Sequence, residues 1–307
     1  MLLAPLVLPL LLPPAPQPVP PAPRAAPGAE LSLQAILSGG MLRWYRVYVP
    51  TDYDPSVPVP VLFAFHGGGA NATHASEAYG IVEEAEERGW IAVFPEGTGE
   101  FGGPPFFLFE TWNAGDCCTY AMENGIDDVG FFVDLLAKLS ATYAVDPGAV
   151  FSTGMSNGAM MTYRLAVEVP ELLTAIAPVS GALLTAPPTT PLPVLAIHGL
   201  LDEAIPFAGG SGSGPATPEL PSQLETILPF FAVNGGALPA APLVQGPALL
   251  FASGPPSLAD TWYFLALDGG HTWPGQIPSP LQPNEPLHTG VPATPLMFDF
   301  FELQLLR

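Results

Sequence analysis

Ser156 sits at the centre of GMSNG, residues 154–158, with AVFST before it and AMMTYRLAVEV after it. A serine hydroxyl is a weak nucleophile. Acyl transfer through it needs a base, a group that orients the base, and donors for the oxyanion. The flanking residues make this serine a candidate. Val150 and Phe151 read as strand, whereas Met160, Met161, Leu165 and Ala166 recur at helical spacing. Gly154 and Gly158 lack the Cβ atoms that would clash where a strand turns into a helix within a few residues. The serine is then forced outward at the N-terminus of the following helix, as in a G-x-S-x-G elbow. A plain Gly-Ser turn carries the same letters, so the partners decide.

Five histidines are available: His66, His74, His198, His271 and His288. His271 lies in LDGGHTWPG, a Gly-rich loop after an apolar run and close to the C-terminus, which suits the order serine, acid, histidine. His198 ends a strand and reads as packing beneath the site. The acid must come from another strand end, and IHGLLDEAIPF offers Asp202, with Glu203 and Asp268 as rivals. Asp202 is preferred because it alone leaves a separate strand, from which it can accept the Nδ1–H of His271 in a hydrogen bond and fix its tautomer. For the oxyanion, HGGGAN at 66–71 makes the Gly68 N–H the first choice, ahead of Gly67 and Gly69. The second donor is the N–H of Asn157, aided by the positive end of its helix. A phosphate cradle is disfavoured, because the trailing Lys-Ser/Thr is missing. Trp112 and Trp273 flank this machinery in sequence and are candidates to stack on a phenolic acyl group or sugar, with simple burial as the alternative. Phe106, Phe107 and Phe109 form either an apolar rim or core. Asp127 and Asp128 read as a helix cap rather than an acid–base couple.

These groups must be held by a scaffold. Strands are expected at residues 42–49, 59–65, 90–94, 173–179, 194–198 and 261–267, and helices at 75–89, 126–143, 223–233 and 294–306. Alternation of apolar strands with helices predicts an α/β fold, a mostly parallel sheet with helices on both faces. The segment AGGSGSGPATPELPS at 208–222 reads as a loop at the cleft rim rather than an amphipathic lid. NAT at 71–73 matches a glycosylation acceptor and is taken as coincidence.

Composition limits the partners. Of 307 residues 49% are hydrophobic and 11% charged, with 7 Lys plus Arg against 28 Asp plus Glu, a net charge of −21. So few cations argue against nucleic acid and against anionic membrane surfaces. MLLAPLVLPLLL is as long as a signal-peptide core and too short for a membrane span, and a Pro-rich linker follows it. Residues 1–29 are therefore read as signal-like segment plus linker, 30–307 as the α/β domain, and the destination as secreted, extracellular or periplasmic. Oligomeric state is not legible. The only cysteines, Cys117 and Cys118, are adjacent. A vicinal disulfide, free thiols and pairing between chains all remain open.

The stretches HGGGAN, WNAGDCC, DDVGFF, GMSNGAMMTYRLA, HGLLDEAIPF and GGHTWPG together resemble the extracellular α/β-hydrolases known as polyhydroxybutyrate depolymerases and feruloyl esterases. The likeness runs from about Arg43 to the C-terminus. It implies an α/β-hydrolase fold, Ser156, Asp202 and His271 as triad, secretion, and ester hydrolysis with no metal or organic cofactor. Relatives often carry a further cysteine pair, one member near NGG at 234–236, and this chain lacks it. Scarce basic residues and the aromatic FGGPPFFLF at 101–109 leave the substrate open among feruloyl, acetyl and polymeric hydroxyacyl esters. A peptidase on the same scaffold and a non-catalytic binding protein are the rival expectations.

Overall fold

In VPVLFAF the side chains alternate between two apolar layers, and that alternation sets the architecture. Leu62 and Ala64 enter one core and Val61, Phe63 and Phe65 the other, as the period of two in a strand requires. The computed structural model describes residues 30–101, 103, 107–213, 219–253, 256–276 and 284–307. The expected signal-like segment and linker at 1–29, Phe106 and residues 214–218 of the expected rim loop lie outside them.

The strands are β1 (Glu30–Ser38), β2 (Met41–Val49), β3 (Val59–Phe65), β4 (Ile91–Pro95), β5 (Val145–Met155), β6 (Ala175–Val179), β7 (Val194–Gly199), β8 (Gly210–Ser211), β9 (Glu219–Leu220), β10 (Leu243–Gln245), β11 (Ala248–Ser253) and β12 (Thr261–Ala266). Among the described residues ten of them form one sheet in the order β1-β2-β4-β3-β5-β6-β7-β12-β11-β10. The six central strands, β4 to β12 in that order, run parallel, and antiparallel pairs close both edges. Strands β8 and β9 pair within the expected rim segment.

The helices are α1 (Ala72–Ala78), α2 (Ile81–Arg88), α3 (Thr119–Glu123), α4 (Asp128–Thr142), α5 (Asn157–Glu168), α6 (Gln223–Val233) and α7 (Ala293–Leu305). Residues of α1, α2 and α7 share one core with the sheet, and those of α4, α5 and α6 the other. Across the first core Trp90 stacks on Phe151 and Phe151 on Phe301, with centroids 5.0 and 4.5 Å apart. Burying each such ring contributes roughly 1.5–3 kcal/mol.

The single helix expected at 75–89 is two helices. Gly80, at φ 67°, lies in the left-handed region and separates α1 from α2. Of the two aspartates expected to cap α4, Asp127 does so, its side chain accepting from the Gly130 N–H, while Asp128 pairs with the buried Arg43 at 2.6 Å. Asn71 of the NAT triplet caps α1 by accepting from the His74 N–H. Among the described residues no helix is long and apolar enough to cross a membrane.

Candidate active site

Strands β3, β5, β7 and β12 lie near one another in the sheet and run in one direction, so their C-terminal ends open on the same edge. In an open α/β sheet that edge is where ligands bind. HGGG leaves β3, Ser156 leaves β5, the loop of Asp202 leaves β7, and the loop of His271 leaves β12.

Ser156 takes φ 56° and ψ −121° as the residue preceding α5. Holding a non-glycine residue there costs on the order of 1–3 kcal/mol and persists only where the surroundings over-determine it. Here the Ser156 N–H donates to the Val179 carbonyl at 3.0 Å, and its own carbonyl accepts from Met160 at 3.0 Å. A methyl on Gly154 would stand 2.5 Å from the Gly158 oxygen, and one on Gly158 would stand 2.5 Å from the His66 oxygen. Both glycines are therefore required by the close approach of β3, β5 and α5. The Ser156 side chain is partly exposed, and among the described residues no hydrogen bond joins it to His271.

Asp202 and His271, 69 residues apart, meet at 2.8 Å between Oδ2 and Nδ1. The other carboxylate oxygen of Asp202 accepts from the Ile205 N–H at 2.7 Å. His198 lies behind this pair, 3.7 Å from Asp202, and its Nε2–H donates to the Ile205 carbonyl at 2.9 Å. Burial pushes His198 down to about 4, so it is neutral at ordinary pH. Burial alone would raise Asp202, but the adjacent His271 outweighs it and holds the carboxyl below its usual range. Burial likewise works against a charged His271, yet Asp202 and then Glu285 hold the imidazole above its usual value. The rival acids are elsewhere. Asp268 accepts from His288 and from Thr289, and Glu203 is exposed.

The HGGG loop packs on the elbow: a methyl on Gly67 would lie 3.5 Å from Ser156 Cβ, and one on Gly68 would lie 3.5 Å from Asn157 Cβ. The Gly69 N–H is committed to the Glu110 carbonyl at 2.8 Å, and the Gly67 main chain is bonded to the Tyr79 hydroxyl and to His66. The N–H groups of Gly68 and Asn157 carry no partner among the described residues. The Asn157 side chain spans the Trp112 main chain, accepting its N–H at 2.7 Å and donating to its carbonyl at 3.0 Å. Beneath the loop, His66 donates from Nδ1 to the Gly67 oxygen at 2.8 Å and accepts the Gly97 N–H at 3.0 Å. Burial pushes it down to about 4, so it braces the loop as a neutral ring.

The two tryptophans do not offer rings to a substrate. Trp112 is 0% exposed, its indole N–H held by the His66 carbonyl at 2.9 Å and its ring edge-on to Phe65. Trp273, 3% exposed, stacks on Tyr79 at 4.2 Å and donates to Thr294. Sequence adjacency to the loops put them on the list, and packing against the core removes them. Of the aromatic stretch, Phe101, Leu108 and Phe109 are exposed, while Phe107 packs edge-on against Trp44 at 6.3 Å. Cys117 and Cys118 are joined as a vicinal disulfide. The sequence reading missed Glu285, whose carboxylate accepts the His271 N–H at 2.8 Å, and Glu110, which braces Gly69. Neither sits in a recognisable motif. Among the described residues no three His, Cys, Asp or Glu side chains converge to hold a metal ion.

No protein-family model matches the chain. It is 29% identical over 270 residues to a protein of Nocardia uniformis subsp. tsuyamanensis provisionally named esterase NocK, covering 80% of this chain and 75% of that protein. Feruloyl esterase C of Emericella nidulans is 29% identical over 170 residues, 55% of this chain and 58% of the relative. Feruloyl esterase D of Neurospora crassa is 30% identical over 181 residues, 56% of this chain and 57% of the relative. The matched region thus spans somewhat over half the length of these fungal relatives. Among solved structures, the acetyl xylan esterase from Aspergillus awamori superposes with a TM-score of 0.58 at 17% identity, over 88% of this chain and 99% of that one. At that identity the likeness is one of fold.

Proposed function

We propose that this chain, an α/β-hydrolase by fold and a homologue of esterases and feruloyl esterases, is itself a secreted serine esterase that works through an acyl-enzyme. The observation that carries the reading is the 2.8 Å bond between Asp202 and Nδ1 of His271. It leaves Nε2 as the free basic atom at the strand-end edge from which Ser156 also emerges.

In the proposed mechanism the Ser156 oxygen attacks the ester carbonyl while His271 Nε2 takes its proton. The oxyanion is received by the N–H groups of Gly68 and Asn157, the two left unpaired beside the elbow. Collapse of the tetrahedral adduct expels the alkoxide, which leaves with the proton from His271. Water then attacks the acyl group, again giving its proton to His271, and the acid departs as Ser156 is regenerated. No step calls on a metal or organic cofactor. The relatives named feruloyl esterases direct the substrate proposal to hydroxycinnamoyl esters, with short acyl esters alongside. Rim residues Phe101, Leu108 and Phe109 provide apolar contact for an aromatic acyl or alcohol group.

The test joins a fluorophosphonate label with a substrate panel. The label is expected on Ser156 by peptide mass spectrometry, and kcat/KM is expected to be higher for methyl ferulate and acetyl esters than for monomeric, soluble esters of fatty acids longer than about ten carbons. Labelling elsewhere would overturn the nucleophile. Faster turnover of the long-chain series, or of peptides, would overturn the substrate class.

A further inference from the structure

Residues 284–290 return past the loop of His271 and are bonded to it along their length. The Gly270 N–H donates to the Pro286 carbonyl at 2.8 Å, and Thr272 Oγ1 donates to the same oxygen at 3.4 Å. Asp268 accepts from His288 Nδ1 and from both the N–H and hydroxyl of Thr289. At the centre of this seam the Glu285 carboxylate accepts the main-chain N–H of His271 at 2.8 Å. A methyl on Gly270 would collide with that carboxylate and stand 2.6 Å from Pro286 Cδ, so the glycine is what lets the two strands of the seam close.

We propose that Glu285 is a positioning residue for the base: it fixes the His271 main chain and sets a second carboxylate beside the imidazole that takes the proton of Ser156. The proposal rests on the reading of Ser156, Asp202 and His271 as a triad. The groups facing His271 are Asp202 from the loop after β7, His198 behind it, and Glu285 from the returning segment. Asp268, on the loop of His271 itself, is occupied by His288 and Thr289. His198 is kept neutral by burial, so the charge felt by the imidazolium comes from two carboxylates of different kind. Asp202 contacts the ring directly. Glu285 acts through the backbone bond and through space, and because it is half-buried its influence is partly open to screening by salt.

Two variants separate anchoring from charge. Glu285→Gln keeps an oxygen for the His271 N–H and removes the charge, whereas Glu285→Ala removes both. The His271 imidazole is titrated by NMR on histidine-labelled protein, its signal assigned by its absence in His271→Gln. The expected result is a lower titration midpoint in Glu285→Gln than in wild type, with the acid limb of kcat/KM moving the same way and the gap narrowing in high salt. Glu285→Ala is expected to lose a further ten- to a hundredfold in kcat, since small displacements of a catalytic group are costly. Identical His271 midpoints in wild type and Glu285→Gln would overturn the proposal, whatever Glu285→Ala does to folding. The NMR midpoint does not depend on turnover. If Ser156→Ala instead retained esterase activity, the triad reading would fail on that separate measurement.

Discussion

Asp202 and Glu110 both follow the ends of central strands, and both are withdrawn from water, at 4% and 0% exposure. Their surroundings differ in one respect. Asp202 has His271 at 2.8 Å and the Ile205 N–H at 2.7 Å, and its carboxyl is held below the usual range. Among the described residues neither oxygen of Glu110 has a hydrogen-bond partner, and burial pushes it up to about 7. Its neighbour Glu96 accepts the Ala72 N–H yet is pushed up to about 8, again chiefly by burial and with Glu110 adding to it. Desolvation disfavours the charged form in each case, and at Asp202 the bonded His271 together with the Ile205 N–H outweighs it. The contrast divides the candidate site into a charged half, which holds the proposed base His271, and a neutralised half, which braces the HGGG loop through the Glu110 main-chain carbonyl and the first turn of α1 through the Ala72 N–H.

The largest effect should come from breaking the charged half. Asp202→Asn is expected to lower kcat by on the order of 10⁴-fold, because the amide cannot stabilise the imidazolium or hold its tautomer. Asp268→Asn, whose hydrogen bonds among the described residues are to His288 and Thr289, should stay within about tenfold of wild type. Steady-state kinetics on both variants decide it. A larger loss in Asp268→Asn would mean that the working acid has been misidentified.

A smaller effect is expected from the neutralised half, and it appears in stability. Glu96 and Glu110 bind protons more tightly folded than unfolded, so their contribution is fully present below about 4.5 and is lost as pH rises through about 7 to 8. Asp202 has the opposite sign, its contribution being present at neutral pH and lost on acidification. Urea unfolding between pH 7 and 9, above the range in which the buried neutral His66 and His198 would gain a proton on unfolding, should therefore show wild-type stability falling by on the order of 2 kcal/mol. Glu110→Gln should flatten that slope. A slope unchanged in the variant would assign the proton uptake to another group.

The smallest effect concerns the field of the whole chain. His271 must be neutral to act, so kcat/KM should rise with pH through its titration, which Asp202 and Glu285 hold above the ordinary imidazole value. With a net charge of −21, added salt should move that limb to lower pH by screening. An acid limb that stays put between low and high salt would restrict the influence on His271 to its immediate neighbours.

Local pattern carried much of this into the sequence. VPVLFAF and QLETILPFFAV were readable end to end because alternation and helical spacing are properties of adjacent residues, and β3 and α6 have those bounds. The glycines around Ser156 were readable for the same reason, as were HGGG and the Asp127 cap. The edge strands β1, β10 and β11 were not expected, since a partly exposed strand at the rim of a sheet has weak hydrophobic contrast and is stabilised by the strand beside it.

What the sequence by itself determined is the set of candidate groups for the proposed acyl transfer and the order of the elements that carry them, because both are written in short-range spacing. Only the tertiary structure decided which acid faces His271, that Asp268 is held by His288, that Trp112 and Trp273 are packing rather than surface, and that Glu285 touches the base. Those outcomes depend on contacts between residues 14 to 194 positions apart in the chain, from His271 with Glu285 to Trp273 with Tyr79. A carboxylate or an indole has the same letter whether it is bound, buried or free. Its role is set by what the fold brings to within hydrogen-bonding distance and by how much water it leaves there.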